Sequence, residues 1–275
     1  MRIAVLSGKG GAGKTFVSVN LAAAAGKAVY IDCDVEEPNG RLFLKPEHLR
    51  RETVYRDLPQ FDKETCIGCR KCVDFCRFNA LALVKKKPML FDEVCHSCGG
   101  CELVCPVGAV GWDRHPVGIV EIGKRGRVMV ITGELNIGET SGIPVEQRAM
   151  ELGFGTEGTA IIDCPPGSAC SVMEAVNEAD CCILVAEPTA FGLHNLKMVH
   201  ELAVLLGKPC GCIINKADGC YEPLTAYCAE AKLPILCEIP YSEETARRTA
   251  AGEIAVDYDE ALKQKLEAVL REVGA

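Results

Sequence analysis

Two groups of residues have the types and spacing that chemistry needs. The first is Gly8-Lys-Gly-Gly-Ala-Gly-Lys-Thr15, followed by Phe16. Backbone N–H groups can wrap a polyphosphate only where no Cβ intervenes, hence Gly8, Gly10, Gly11 and Gly13. Lys14 is placed to reach the β- and γ-phosphates, and the Thr15 hydroxyl to ligate Mg²⁺. The second group is Cys66-x2-Cys69-x2-Cys72-x3-Cys76, followed by Cys95-x2-Cys98-x2-Cys101-x3-Cys105-Pro106. The x2-x2 spacing lets three thiolates of one loop cap three irons of a cubane. Zinc competes, because C-x2-C pairs suit a tetrahedral ion. Two zinc sites would use two pairs each and leave no reason for the third cysteine and the x3-Cys of both copies, so iron–sulfur is preferred.

These residues need elements to hold them. Met1 to Ser7 reads as a short buried strand and Phe16 to Ala25 as a helix, so the glycine loop opens on a helix N-terminus with its partial positive charge. Lys27–Ile31 is a second apolar run, ending in Asp32-Cys33-Asp34. Residues 40–60 are charged and broken by Pro46 and Pro59, which predicts loop or edge structure. Leu81–Val84 and Pro88–Phe91 flank three lysines as a hairpin, and 117–122 with 127–132 form another around Gly123–Gly126. A helix is expected over Glu146–Leu152. Thr159–Asp163 is a buried strand with an acid at its carboxyl end, where a sheet of this kind binds its ligand. Strands at 181–186, 210–214 and 235–239 alternate with helices near 192–206, 222–231, 243–250 and 258–273. The alternation predicts an α/β fold, a parallel sheet covered by helices on both faces.

The 275 residues can hold one sizeable domain and a small one. With 48% hydrophobic and 25% charged residues the chain reads as globular, and a net charge of −8 argues against nucleic-acid binding. No apolar run is long enough to span a bilayer and the start is strand-like, so a cytoplasmic protein with no membrane role is expected. In a reducing compartment 18 cysteines do not favour a disulfide scaffold.

The duplicated cysteine run, with Phe78-Asn-Ala-Leu81 against Val107-Gly-Ala-Val110, resembles the bacterial two-cluster ferredoxin pattern. There the fourth cysteine of each run ligates the other cluster. That implies one [4Fe–4S] cluster on Cys66, Cys69, Cys72 and Cys105, and a second on Cys95, Cys98, Cys101 and Cys76. Arg77 stands where that pattern usually has proline. Lys9 makes the first loop G-K-G-G-x-G-K-T, which resembles the deviant Walker A loop of the MinD/ParA/nitrogenase iron protein superfamily. Asp163-Cys-Pro-Pro-Gly167 is similar to its Walker B and switch II segment, and Asn215-Lys-Ala-Asp218 to its base-reading element. Gly133–Glu139 and Glu187–Leu193 carry further likeness.

The resemblance implies ATP contacts along Gly8, Gly10, Gly11, Ala12, Gly13, Lys14, Thr15 and Phe16, with adenine between Asn215 and Pro240-Tyr241. It implies Mg²⁺ on Thr15, with Asp32 near its shell and Asp163 reaching it through water. Asp34 would orient the attacking water, the Gly167 N–H would sense the γ-phosphate, and Lys9 would reach the nucleotide of a partner subunit. A dimer closed by ATP follows, either a homodimer or a heterodimer with a paralogue. The implied organisation is a P-loop ATPase domain at 1–60 and 115–275, with an inserted α+β ferredoxin-like domain at 61–114.

Three functions compete. One is an ATPase coupled to electron transfer between a redox donor and an acceptor. Another is an ATP-dependent factor delivering a cluster or metal to an apo-metalloprotein client, which spare cysteines near the switches (Cys33, Cys164, Cys170) would favour. The third, a positioning ATPase on membrane or DNA, is disfavoured. The C-terminal helix mixes Glu260, Glu267 and Glu272 with Lys263, Lys265 and Arg271, without the basic face that surface binding needs.

Overall fold

The computed structural model describes residues 1–168, 170–219 and 221–274, with backbone alone at Cys170 and Ser171. β1 (Arg2–Leu6) leads through the glycine loop into α1 (Lys14–Ala24), then β2 (Ala28–Asp32), α2 (Gly40–Leu44) and β3 (Glu47–Phe61). The cysteine-rich stretch follows with α3 (Lys71–Phe75), β4 (Leu81–Val84), β5 (Lys87–Leu90) and α4 (Gly100–Leu103). β6 (Val110–Arg125), β7 (Val128–Leu135), α5 (Ile143–Phe154), β8 (Thr159–Asp163), α6 (Cys170–Glu178) and β9 (Cys181–Ala186) come next. The chain closes with α7 (Ala190–Leu205), β10 (Cys210–Ala217), α8 (Glu222–Glu230), β11 (Ile235–Pro240), α9 (Glu243–Ala250) and α10 (Glu260–Glu272).

Nine strands form one sheet in the order β11-β10-β9-β1-β8-β2-β7-β6-β3. From β11 to β7 every neighbouring pair is parallel. Strands β2 and β9 are buried along their whole length, as continuous apolar runs covered on both faces must be. β6 and β7 are joined by a short turn at Gly126 (φ +56), and two strands so closely linked can only run antiparallel. The sheet is therefore mixed and mostly parallel, with a hairpin extending one side. Residues 40–60, expected as loop or edge structure, hold the short α2 and the 15-residue edge strand β3. The charged tip of the predicted small hairpin is at Lys85 and Lys86, both in left-handed backbone. The α6 helix was not among the expected elements.

The chain divides into two compact units. The first comprises Met1–Glu52, Ile119–Glu134 and Val145–Ala275, and the second Thr53–Gly118 and Leu135–Pro144. In the first, Ile3, Val5, Tyr30, Ile161 and Ile183 belong to one buried core with Leu262, Leu266, Val269 and Leu270 of α10. The apolar face of the C-terminal helix is thus spent inside the protein. Among the described residues no helix is long and apolar enough to cross a membrane.

What positions the first site is register. β2 and β8 lie side by side with Asp32 opposite Asp163, and β8 pairs β1 with Val5 opposite Asp163. Three loops, after β1, β2 and β8, therefore leave the sheet at one carboxyl edge.

Candidate nucleotide site and cysteine cavities

At that edge Lys14 begins α1, and its side chain is 6% exposed. It lies 3.1 Å from Asp163 Oδ1 and 3.2 Å from Asp34 Oδ2, and donates to the Cys164 carbonyl. Burial opposes its charge, but Asp163 and Asp34 outweigh that and hold its pKa above the usual lysine value. Asp163 also accepts from the Ser18 hydroxyl at 3.1 Å and from the Tyr30 phenol at 2.8 Å. Asp32 accepts from the N–H groups of Asp34 (3.2 Å) and Gly40 (2.9 Å), and from Tyr30 at 3.4 Å. Burial and then the charge of Asp163 push Asp32 up to about 8, against the pull of Gly40 N–H and Lys14. Burial likewise raises Asp34, with Lys14 opposing. Lys14 is thus the cation that the carboxylates share.

The glycine loop is closely fitted. Gly13 is left-handed (φ +92), and a Cβ there would strike the Asn215 side chain. Asn215 is buried and donates to the Ala12 carbonyl at 2.9 Å. Lys216 donates to the Gly11 carbonyl at 2.8 Å and to Glu187 at 2.6 Å. The other oxygen of Glu187 faces Lys9 at 3.3 Å, and that ammonium lies over the Phe191 ring. Lys9 is therefore held within its own chain. Gly167 is also left-handed (φ +94), and its N–H is given to the Ser7 carbonyl at 3.0 Å. An open cleft brings Gly13, Thr15, Phe16 and Asn215 together with Pro240 and Tyr241. Asn39, Leu42 and Phe43 line it too, as does the α9 face at Thr245 and Thr249. The remaining predicted residues, Gly8 and Gly10, sit in the same loop. Gly8 is packed so tightly on the Asn195 backbone that no Cβ would fit.

In the second unit the eight cysteines fall into two cavities. Cys66, Cys69, Cys72 and Cys105 line one. Cys76, Cys95, Cys98 and Cys101 line the other. The Ala109 N–H donates to Cys105 Sγ at 3.3 Å, and N–H groups led by that of Val107 lower the thiol's pKa, favouring the thiolate that a metal needs. Burial raises Cys72, and raises Cys101 to about 11. Among the described residues no three His, Cys, Asp or Glu side chains converge as they would on a single ion. Four soft sulfurs spread around a cavity are instead a donor set for a larger, sulfur-preferring group. His96, in the cysteine loop, stacks on Phe78 at 3.9 Å.

The family model for the CobQ/CobB/MinD/ParA nucleotide binding domain matches residues 3–256. The chain belongs to that family. As a CobQ/CobB/MinD/ParA protein, of a family whose MinD and ParA branches are ATPases, it is 34% identical to an uncharacterized protein of Methanocaldococcus jannaschii, over 74% of this chain and 73% of that one. The fold is similar to the septum site-determining protein MinD complexed with Mg-ADP from Pyrococcus horikoshii, at a TM-score of 0.60 and 19% identity over 100% of this chain and 96% of the other. A 53-residue stretch, 18% of this chain, is 40% identical to 69% of an uncharacterized ferredoxin of Methanocaldococcus jannaschii. This family member thus carries ferredoxin-like sequence as well as a nucleotide-binding domain.

Of the residues expected at Mg²⁺, Asp32 and Asp163 stand side by side at the edge and Thr15 lines the cleft, all of them hard oxygen donors of the kind that ion prefers. Cys33 and Cys164 are fully buried, and burial raises both thiols well above the ordinary value. The side chain of Cys170 lies outside the described residues. Sequence reasoning missed Tyr30, Ser18 and Gly40, which hold the two acids in place. Tyr30 read as one more apolar residue of a strand. Its only signal was that its side chain points to the same sheet face as Asp32, two residues on.

Proposed function

We propose that this protein is a cytoplasmic ATPase whose nucleotide-driven dimer closure is coupled to electron transfer through two [4Fe–4S] clusters. The eight cysteines carry this proposal. They divide between two cavities as 66/69/72/105 and 76/95/98/101, the same partition that the ferredoxin pattern implies. Their sulfurs would hold the clusters in a module at 61–114, set between ATPase segments 1–60 and 115–275. When bound, such clusters accept and release single electrons at low potential.

The other residues would work as follows. Thr15 and Asp32 would hold Mg²⁺, and the backbone from Gly8 to Gly13 would wrap the phosphates of ATP. Phosphate competes with Asp163 and Asp34 for Lys14, so ATP binding would free Asp34 to orient water and Asp163 to reach the magnesium shell. Asn215, Pro240 and Tyr241 would frame the adenine. Lys9 must leave Glu187 before it can serve a partner subunit, whether a second copy or a paralogue. Exchange of these contacts is a two-state change of the kind that switch loops use. Delivery of a metal to a client protein would need thiols at this site that a client can reach, and Cys33 and Cys164 are both fully buried.

The test is an anaerobic redox titration with and without a non-hydrolysable ATP analogue, on protein first assayed for about eight irons and eight sulfides per chain. If nucleotide lowers a midpoint, oxidised protein must bind nucleotide more tightly than reduced protein by the same free energy. A tenfold affinity ratio corresponds to a shift of about 59 mV for one electron. Identical midpoints in protein shown to bind the analogue would refute the coupling.

A further inference from the structure

The two cysteine cavities come from one duplicated segment, so their differences are informative. Between the leading cysteines the first copy has Ile67-Gly68 and the second His96-Ser97. Gly68 and Ser97 share left-handed backbone, with φ +69 and +50, a conformation that favours glycine. A Cβ on Gly68 would collide with the Lys86 carbonyl, so the first copy has no room for a side chain there. The second copy carries one against the conformational preference. Ser97 lines the Cys76/Cys95/Cys98/Cys101 cavity, and its Oγ is buried without a hydrogen-bond partner among the described residues.

Arg56 adds a second unspent donor. Its side chain is 10% exposed, its Nη1 donates to the Cys95 carbonyl at 3.0 Å and its Nη2 faces Glu139 Oε2 at 3.2 Å. Its Nε is buried and unpartnered among the described residues. Each cavity's own lining holds one exposed arginine, Arg77 in the second and Arg70 in the first, the latter 61% exposed and paired with Asp74 at 2.8 Å. Solvent screens such a charge. Both walls are largely apolar, with Phe61, Ile67, Pro88 and Val107 in the first cavity and Pro59, Phe75, Phe78 and Leu81 in the second, so the difference lies in the polar groups. The backbone N–H groups of Val107, Ala109 and Gly108 on Cys105 work the other way. They are neutral donors, set against the unpartnered Nε of a buried guanidinium, itself paired with Glu139, and a free hydroxyl.

Reduction adds one negative charge to whatever the thiolates hold. Hydrogen-bond donors and buried positive charge favour that charge. Resting on the two-cluster reading above, we infer that Ser97 and Arg56 are positioning residues that make the Cys76/Cys95/Cys98/Cys101 centre the higher-potential one. An electron entering the chain comes to rest there, and the Cys66/Cys69/Cys72/Cys105 centre is its low-potential partner.

The test is a redox titration followed by electron paramagnetic resonance on full-length, anaerobically loaded protein, with iron and sulfide counted first. Wild type should show two midpoints. Ser97→Gly and Arg56→Gln should each lower the higher midpoint by about tenfold in equilibrium constant, 59 mV for one electron, and leave the other in place. Glu139→Gln removes the counter-charge of Arg56 and should raise that same midpoint. A purely structural Ser97 would leave the midpoints alone, since glycine relieves its backbone. Ser97→Gly also decides the matter if Arg56→Gln fails to fold. Variants that move the lower midpoint, both equally, or neither overturn the inference while two clusters stand. Iron near four per chain overturns the two-cluster reading itself, and this inference with it.

Discussion

Glu146 offers a test of the electrostatics around the nucleotide edge. It sits in the first turn of α5, 3% exposed, and its Oε2 has no hydrogen-bond partner among the described residues. Its neighbour Val145 packs with Val35 against the bare Cα of Gly133, which brings this turn up to the loop after β2. Burial first, then the charges of Glu174, Asp34 and Glu36, raise its pKa from 4.5 to about 7. That rise is worth roughly 3 kcal/mol when the group is fully ionised. An acid with a higher pKa in the folded chain takes up a proton on folding. Stability therefore falls as pH rises through the window from about 4.5 to about 7, and the loss is complete above it. Glu146→Gln keeps the shape and removes the charge. It should be more stable than wild type at pH 8.5 by roughly 2–3 kcal/mol, and the gain should shrink by about 2 kcal/mol at pH 5.5. Paired urea denaturation curves at several pH values, taken as differences between the two proteins, isolate this group from every other titration. A gain that is independent of pH, or a variant less stable at pH 8.5, would refute the reasoning.

Two further outcomes are expected. Lys14→Ala should lose nucleotide binding in calorimetry, whereas Lys9→Ala should bind ATP yet remain monomeric by light scattering. A Lys9→Ala protein that dimerises with ATP as wild type does would remove the role in trans. Gly40→Ala should lower stability by roughly 1–3 kcal/mol, because the new Cβ collides with the buried Tyr30 phenol. An unchanged melting temperature would mean that this contact is loose.

Motif chemistry was legible where residue type and spacing are dictated locally. A phosphate loop must be glycine-rich between a strand and a helix, and a cubane's ligands must repeat at fixed offsets. The place of Gly8–Thr15 between a strand and a helix, and the division of the eight cysteines into two groups, could therefore be read without a fold. The strands of the sheet's centre were legible too, because burial on both faces leaves only apolar runs. Long-range partners were not. Tyr30 meets Asp163 across 133 positions and Ser18 across 145, and neither residue type announces a role in a strand or helix that is otherwise buried. Arg56 stands in a stretch that read as loop or edge, and only folding brings it to the carbonyl of Cys95.

Lys9 shows the same limit from the other side. Its place in the loop suggested a residue for a partner's nucleotide, but sequence does not reveal that Glu187 and Phe191 hold it in the meantime. Glu187 also holds Lys216, which in turn clasps the Gly11 carbonyl. Freeing Lys9 leaves Glu187 on Lys216 alone, so the carboxylate stays paired and the cost of release is kept small. A lysine held by a partly screened ion pair can be exchanged for a stronger anion at modest cost, and a polyphosphate is such an anion. The contact that holds Lys9 in the single chain is therefore weak enough to yield to ATP across the interface of the proposed dimer.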